Sequence, residues 1–360
     1  MATYDIATNA NSDVEVYIYK PKEEIMYRVV VLEPVVWTTE HSGSAGKLEF
    51  TVVKCGDLSF QEGSIVIFKY KGKEIFRGAI FVKQRDKEHH IACTAYDSLR
   101  YFKNEVNPRV LNLHKGSTTT KILEWLCSTK TNSFTKGWFE DSKINVVWNE
   151  TEPKTMFDII AEVEDQTRIN DPKHTIYTLY DDCGKLYYKS IDHKDMKLDL
   201  LIDKTALETF SYTSSIDDET YNRVLLYWGD DEGSTKTTKK TTNEKRNSAG
   251  NLDPIEDPEN VENWGVLQLT KKIDSSVANP EDYAKKLLET YNKKSRNCSL
   301  QGVLGDVRAR AGTSVLIDLD LGDIAPKKYA FVTKARHTFE NKFHTMDLDV
   351  DLKIIERGAV

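Results

Sequence analysis

The sequence has little cysteine, and the cysteines that it has follow no recognised spacing. The five are odd in number and widely separated, with no C-x-x-C pair: Cys55, Cys93, Cys127, Cys183 and Cys298. A disulfide scaffold and a structural zinc site are both recognised from paired or closely spaced cysteines. The sequence therefore lacks the usual evidence for either. We therefore expect reduced thiols in a chain that folds in the cytosol.

The sequence also lacks a long apolar run and an excess of basic residues. No segment approaches the ~18 apolar residues that a membrane-spanning helix needs, and Met1 to Asp13 has neither the basic nor the apolar region of a signal peptide. Lys and Arg total 50 against 57 Asp and Glu, so the formal net charge is −7. We predict a soluble chain with no membrane anchoring, no conventional secretion and no general basic surface for nucleic acid.

Recognised catalytic and metal-binding motifs are absent as well. The eight histidines include no H-E-x-x-H, and the neighbours His89 and His90 should point to opposite faces of a strand. The segment 318–323 resembles part of a calcium loop, but its glycine is one place early and Tyr329 stands where a bidentate Glu belongs. We predict no catalytic residue, cofactor or metal site. The two catalytic carboxylates of a glycoside hydrolase can lie far apart in the chain, so motif spacing does not reveal them.

A small polar loop also fails as a catalytic motif. It contains Ser42, Gly43, Ser44 and Gly46. Ser44 is not framed as G-x-S-x-G, and no Lys-Ser/Thr pair follows at the spacing of a phosphate-binding loop. We interpret the segment as a flexible loop between two strands.

Alternating apolar and polar residues dominate what is present. Residues 1–104 follow a strand pattern with no long helix, which predicts a first β-barrel. In residues 105–200 the spacing of the apolar residues changes from that of strands to that of helices. Helices are predicted after Ser117 and after Thr155, which forms a capping pattern with Asp158, so this region is a compact α/β module.

A second β-barrel is predicted from residues 201–228 and 264–355. It includes a helix over 281–294, with Asn279 as N-cap and Pro280 at the first position. Residues 229–263 contain no aromatic residue and are dense in Thr, Lys and acidic residues, so we predict a mobile charged loop. The predicted fold class is α+β and β-dominated.

The clearest strand pattern spans residues 345–355. Its apolar positions are Met346, Leu348, Val350, Leu352 and Ile354, and they alternate with Asp347, Asp349, Asp351 and Lys353. Residues two apart on a strand lie ~6.6 Å apart, too far for adjacent carboxylates to share one Ca²⁺ without outside ligands. A solvated acidic face is the better interpretation.

Four segments, in the order in which the elements occur, carry a family resemblance. They are Gly46–Val52, Ala95–Tyr101, Gly305–Val315 and Ala335–Val350. Together they resemble the XkdQ/YqbQ family of phage and phage-like particles, whose members are baseplate hub proteins similar in architecture to the hub of T-even phages. Each segment is a strand-and-turn signature rather than a catalytic fingerprint, and the resemblance covers nearly the whole chain.

The resemblance implies a structural protein of a contractile tail, not an enzyme. Such hubs are homotrimers in which each chain contributes two tail-tube-like β-barrels, so three copies match the hexameric tail tube protein above and the trimeric central spike protein below. Other baseplate proteins and the tape-measure protein are further implied partners, and DNA passes only in transit. The chain would assemble in the bacterial cytoplasm, enter a virion or tail-like particle and be released by lysis.

Two surfaces are candidates for this role. Asp347, Asp349 and Asp351 are candidates for facing the channel, where like charge would oppose adhesion of DNA. Simple solubility would account for the acidic excess equally well. Ser42, Gly43, Ser44 and Gly46 are candidates for a loop between subunits. The alternative functions are a tail-associated cell-wall hydrolase and a carbohydrate-binding module.

Overall fold

The computed structural model describes most of the chain. The described residues are 2–5, 13–56, 58–112, 116–129, 135–146, 152–217, 219–229, 250–273, 277, 279–322, 327–340 and 342–352. The fold is α+β and β-dominated, as predicted. In the described part of the chain, no helix has both the length and the apolar character that crossing a bilayer requires.

The first strand unit consists of eight strands. They are β1 Ala2–Asp5, β2 Val14–Lys20, β3 Ile25–Val29, β4 Val31–Glu40, β5 Lys47–Val53, β6 Ile65–Tyr70, β7 Lys73–Arg85 and β8 His90–Tyr96. Alternation decides which side of each strand is buried: in β5, Leu48, Phe50 and Val52 lie in the core while their neighbours are partly exposed. β6 and β7 pair across a turn at Gly72.

The strands of this unit pair in a circuit. β2 pairs with β3 and β6, and the ladder continues through β7, β8 and β5 to β4. Only Val30 separates β3 from β4, and its carbonyl accepts a hydrogen bond from the Val53 N–H at 3.0 Å. The sheet therefore returns to its starting point around one apolar core that includes Val16, Phe68 and Ile91.

The inserted module follows the first strand unit. It begins with a 3₁₀ helix, Ser98–Lys103, and continues with β9 Glu105–Val106, α1 Pro108–Leu111, α2 Thr119–Thr129, β10 Thr135–Phe139, β11 Lys154–Thr155, α3 Met156–Asn170, β12 Tyr177–Asp182 and β13 Lys185–Ser190. The predicted cap of α3 is present, because Thr155 Oγ1 accepts the Asp158 N–H and the Asp158 carboxylate accepts the Thr155 N–H. The apolar faces of α2 and α3 pack on the β10–β13–β12 sheet.

The second strand unit is formed by six strands. They are β14 Lys197–Asp203, β15 Thr209–Ser215, β20 Ser295–Leu304, β21 Ser314–Asp318, β22 Lys328–Glu340 and β23 Phe343–Asp351. Pairing runs in the order β14–β21–β22–β23–β20–β15. β14 starts at Lys197, before the predicted boundary at residue 201, because Lys197 already pairs with Ser314 of the parallel strand β21.

A small sheet unit lies between β15 and β20 in the chain. It contains β16 Arg223–Trp228, β17 Gly250–Asn251, β18 Ile255–Glu256, α4 Pro258–Trp264, β19 Gln268–Lys272 and α5 Pro280–Tyr291. The sequence assigned β16 to the second barrel, but β16 pairs with β17, β18 and β19 instead. Val224 and Leu226 of β16 are fully buried against Leu287 of α5, which gives this unit its own core. The helix α5 ends at Tyr291, three residues before the predicted end.

The prediction of a mobile loop over residues 229–263 is wrong for its last fourteen residues. Asp257 caps α4 by accepting the N–H groups of Glu259 and Asn260, and it also accepts a hydrogen bond from Asn292 Nδ2 at 2.6 Å. The buried Asn222 side chain donates to two backbone carbonyls and accepts the Leu267 N–H at 2.8 Å. These polar contacts and the packing of Leu252 and Ile255 on the core of the small sheet unit order the segment, and its composition did not reveal them. Residues 230–249 lie outside the described residues.

The strand β22 joins the two strand units into one 14-stranded sheet. One of its edges pairs with β21 at Lys328–Phe331 and with β4 at residues 334–339, while its other edge pairs with β23. Ala335, His337 and Phe339 on this strand are fully buried. Phe339 packs against Phe68 and Tyr70 of the first strand unit, with ring centroids 5.0 Å apart in both cases.

We expect the substitution Phe339→Ala to lower the free energy of unfolding by about 3–5 kcal/mol, because it opens a cavity where the two units meet. The matched control is Phe343→Ala in the neighbouring strand, whose side chain is 76% exposed, and it should change stability by no more than about 0.5 kcal/mol. Chemical denaturation of the two variants measures the difference. Equal losses would show that Phe339 does not hold the units together.

Candidate functional site

The acidic strand predicted near the C-terminus is β23, and it faces the core as expected. Met346, Leu348 and Val350 are buried. The strand ends at Asp351, and Lys353, Ile354 and Ile355, predicted to continue it, lie outside the described residues.

The three aspartates of β23 have three different environments. Asp347 Oδ1 accepts the N–H of Gly302 at 3.0 Å, and its other oxygen lies 3.5 Å from the Arg336 guanidinium. Asp349 is exposed and pairs across the sheet with Lys334. Asp351 lines a cavity at the end of the strand.

The three aspartates therefore do not form one uniform acidic face. Gly302 has a positive φ of 64° at an irregularity in the pairing of β20, so the Asp347 carboxylate supports the backbone there. Among the three, Asp349 is the exposed side chain that fits a solvated wall. The assignment of any of them to a channel stays a prediction.

The loop after β4 is held within the chain more tightly than the sequence suggested. Gly46 is buried, and its N–H donates to Asp97 Oδ2 at 2.9 Å. A Cβ at this position would collide with that oxygen, which explains the glycine. Ser42 and Gly43 are exposed, and with Ser44 they border a small cavity against α3. Gly46 therefore has a role inside the chain, and the candidate inter-subunit surface contracts to the other three residues.

Asp97 and Asp181 lie where the inserted module meets the two strand units. Asp97 accepts the N–H groups of Gly46 and Leu99, and burial together with the nearby Asp181 carboxylate raises the pKa of Asp97 well above its usual range. Asp181 accepts hydrogen bonds from Ser98 Oγ and, at 2.7 Å, from the Gly184 N–H. Arg310 of the second strand unit donates to the Asp181 carbonyl at 3.1 Å.

Arg310 also makes ring contacts on both sides of this junction. Its guanidinium lies 4.7 Å from the centroid of Tyr180 in the inserted module and 5.8 Å from that of Trp37 in β4. A planar, delocalised cation can stack on two rings while its N–H groups donate in the plane, which an ammonium cannot do. One side chain thus contacts three parts of the fold.

Two histidines lie in the apolar joint between the strand units. The rings of His337 and Trp37 stack at 5.0 Å, and those of His344 and Phe339 stack at 4.3 Å. Their ring nitrogens, His337 Nδ1 and His344 Nε2, are 2.9 Å apart, and His337 Nε2 lies 2.7 Å from the Ala309 carbonyl oxygen. The β22–β23 hairpin brings these two histidines together.

The hydrogen-bond geometry allows one proton between the two facing ring nitrogens, and burial favours the neutral form of both rings. In that form His337 donates from Nε2 to the Ala309 carbonyl, and its Nδ1 accepts the proton of His344 Nε2. Burial is the main cause that lowers the pKa of His337 to about 3 and that of His344 to about 4. Protonating either ring would place a charge among buried aromatic rings.

One group of possible metal ligands occurs in the described residues, at Asp86, Glu88 and His90 in the turn between β7 and β8. The D-x-E-x-H spacing of these residues is the sequence signal for the group, and it was not among the predicted sites. Asp86 Oδ1 accepts the N–H groups of Glu88 and His90, and Asp86 Oδ2 lies 3.1 Å from His90 Nδ1. These contacts account for the geometry as a surface turn.

The thiols of four cysteines are not activated as nucleophiles. Burial is the largest cause that raises the pKa of Cys93, Cys127 and Cys183 to about 12 and that of Cys298 to about 11. A cysteine nucleophile needs a lowered pKa, usually from a neighbouring cation or a helix N-terminus. The fifth cysteine, Cys55, is free and partly buried.

The fold and its buried contacts define a β-dominated protein whose conspicuous polar clusters hold structural units together. Comparison with known proteins makes the assignment specific. The chain belongs to the YQBQ-like family, because the sequence model of that family matches residues 35–351. It is 26% identical over 343 residues to the phage-like element PBSX protein XkdQ of Bacillus subtilis, which covers 94% of this chain and 96% of the relative.

Two solved structures share the fold along almost their entire length. A tail protein from Neisseria meningitidis MC58 superposes with a TM-score of 0.62 and 13% identity, covering 96% of this chain and 98% of that one. A 43 kDa tail protein of prophage MuSo2 from Shewanella oneidensis gives a TM-score of 0.62 and 11% identity, with coverage of 93% and 98%. At 13% and 11% identity, these two matches show a shared fold.

The histidine joint predicts how stability depends on pH. Both folded pKa values lie below the unfolded value of about 6.5, so the stabilisation is complete above pH ~6.5 and falls as the pH drops towards 4. Each histidine should contribute a slope of up to about 1.4 kcal/mol per pH unit in that window. Denaturant unfolding between pH 7 and 4 measures the slope.

The variant His344→Phe isolates this contribution. It removes one titrating ring, so its stability should decline less steeply with falling pH, whatever its stability at pH 7. His89→Asn is the control, since His89 lies in an exposed turn with φ of 64°, which Asn tolerates. An unchanged slope in His344→Phe would contradict the assignment.

Proposed function

We propose that the chain is a structural, non-enzymatic protein of a phage tail or tail-like particle, and that it forms the hub of the baseplate. The observation that carries the proposal is end-to-end relatedness. XkdQ of the phage-like element PBSX aligns over nearly the full length of both chains, and the fold extends in the same way over two tail proteins. A shared segment alone would have supported much less.

The proposed hub is a homotrimeric ring. Each chain has two strand units, and in one of them the pairing returns to its starting strand, as in a barrel. Three chains would present six such units around an axis, which suits a hexameric tail tube protein on one side and a trimeric central spike protein on the other. Other baseplate proteins and the tape-measure protein would bind nearby, and DNA would pass only in transit.

The edges of the large sheet favour association of this kind. Among the described strands, β15 is a terminal strand of the sheet and pairs on one edge, with β20. Its seven residues, Thr209–Ser215, include no charge and no proline, and most are exposed. Proteins usually protect an edge strand with charge, proline or a covering element, so an uncharged edge suits a partner chain. We propose that β15 lies at the boundary between subunits.

The mass of the complex that the chain forms with its partners tests whether the ring contains three copies. Light scattering of the chain mixed with its tube and spike proteins should give complexes that contain three copies of the 41.2 kDa chain. Phe210→Lys, on β15, should weaken trimer formation at least about tenfold, because it places a desolvated charge in the contact. Val110→Lys on α1, with a similarly exposed side chain, is the control. One copy per complex with both partners present would refute the trimer.

The channel proposal is tested best at Asp349, because Asp347 supports the backbone at Gly302. Asp349→Lys should leave trimer formation unchanged and slow DNA delivery by a particle that carries it, because a cation on the wall attracts phosphates. Glu105→Lys, an exposed carboxylate of the inserted module, is the control. Normal delivery by correctly assembled Asp349→Lys particles would argue against a channel position.

A further inference from the structure

A cavity of about 460 Å³ lies where four parts of the fold meet. Its walls come from α3 and β12 of the inserted module, α5 of the small sheet unit, the loop after β4 and the end of β23. This volume falls within the range of pockets that hold small organic ligands, and it is far larger than one ion needs. The predicted function assigns no role to it.

Carboxylates outnumber cations in the lining. Glu164, Asp165, Glu219 and Asp351 contribute acidic groups, and Arg168 contributes the one guanidinium among the described lining residues. Arg168 Nη2 is 2.9 Å from Asp165 Oδ1, which also accepts from Tyr291 Oη at 3.0 Å, so Asp165 and Arg168 balance each other. Glu219 and Asp351 remain as acidic groups of the lining, which favours a positively charged ligand.

Three buried polar atoms at this cavity have no hydrogen-bond partner among the described residues. They are Glu164 Oε1, His41 Nδ1 and Arg168 Nε. Buried polar atoms are almost always hydrogen-bonded, because an unmet donor or acceptor costs free energy. Glu164 Oε1 and His41 Nδ1 can accept hydrogen bonds from a molecule inside the cavity, whereas Arg168 Nε–H is a donor and would need an acceptor.

We propose that this cavity binds a linear aliphatic polyamine, with one ammonium group at Glu164 and His41 and a second towards Glu219. Glu164 Oε1 and the neutral His41 imidazole can both accept ammonium hydrogens, and the methylene chain would lie along Ala161 and Ile176. A metal ion fits poorly, because the convergent group of ligands in the described residues is the distant Asp86 turn. An anion would meet an acidic wall.

Binding should be linked to proton release from Glu164. The side chain is faced by Arg168 on its own helix, by Tyr188 on β13 and by His41 in the loop after β4, and burial raises its pKa to about 8. Near pH 7 the empty cavity therefore holds Glu164 mostly protonated. An ammonium ion stabilises the carboxylate, so about one proton leaves for each ligand bound at that pH.

Calorimetric titration of the full chain with spermidine tests the proposal. We expect saturable binding with one ligand per chain, proton release revealed by buffers of different ionisation enthalpy, and no binding of the uncharged 1,4-butanediol. Glu164→Gln should weaken binding about tenfold or more and abolish the proton release. The matched control is Glu162→Gln on the same helix, outside the cavity lining, which should bind like the parent chain.

A second variant guards against a folding defect in Glu164→Gln. Glu219→Gln, at the exposed rim, should weaken spermidine binding several-fold while the proton release persists, because Glu164 is retained. Absence of saturable binding by the parent chain at millimolar spermidine would overturn the proposal. So would equal weakening by Glu164→Gln and Glu162→Gln, since that would indicate general attraction to an acidic surface.

Discussion

The rest of the structure depends on the pairing of β22 with strands from both units. Six consecutive positions, 334–339, pair with β4, and the other edge of the same strand pairs with β23. The two strand units therefore share one ladder, and their relative position is set by backbone hydrogen bonds rather than by a linker. Buried rings on β22, including those of His337 and Phe339, fill the joint on either side of that ladder.

The inserted module and the small sheet unit attach to this frame through polar contacts. Arg310 links β12 to the second strand unit and stacks on Trp37, while Asp97 secures the loop after β4. The hydroxyl of Tyr291 in α5 donates to Asp165 in α3, which connects the small sheet unit to the module. A protein that transmits load between rings of different symmetry needs such fixed geometry, and the proposed hub would gain it within each chain. The acidic cavity lies beside the contact between Tyr291 and Asp165.

Local patterns were sufficient for the elements whose causes are local. The alternation in β5 and β23, the Thr155–Asp158 cap and the Asn279–Pro280 start of α5 were all readable, because each depends on residues within one or two turns. The sequence did not show which strands belong to the same sheet. β16 has the same alternation whether it joins the second strand unit or a separate sheet, and its partners lie beyond residue 249. The pairing of β4 with β22 joins residues about 300 positions apart, and no local pattern specifies it.

The polar sites show the same limit more sharply. In the sequence, Asp347 looks equivalent to the two other aspartates of β23. Its contact with Gly302 of β20 becomes visible only in the structure. Glu164 reads as an exposed helix residue, since burial comes from the loop after β4 and from β13. The resemblance to a family supplied what spacing could not, because assembly roles leave no catalytic motif.

The central claim is that one shared strand fixes two strand units per chain so that three chains form a ring of six. Electron cryomicroscopy of the chain bound to its tube and spike partners tests it most directly. The account predicts a threefold ring with six strand units around an open channel, with β4 and β22 paired inside each chain and β15 at the boundary between chains. A ring of another symmetry, or strand units separated within a chain, would contradict it.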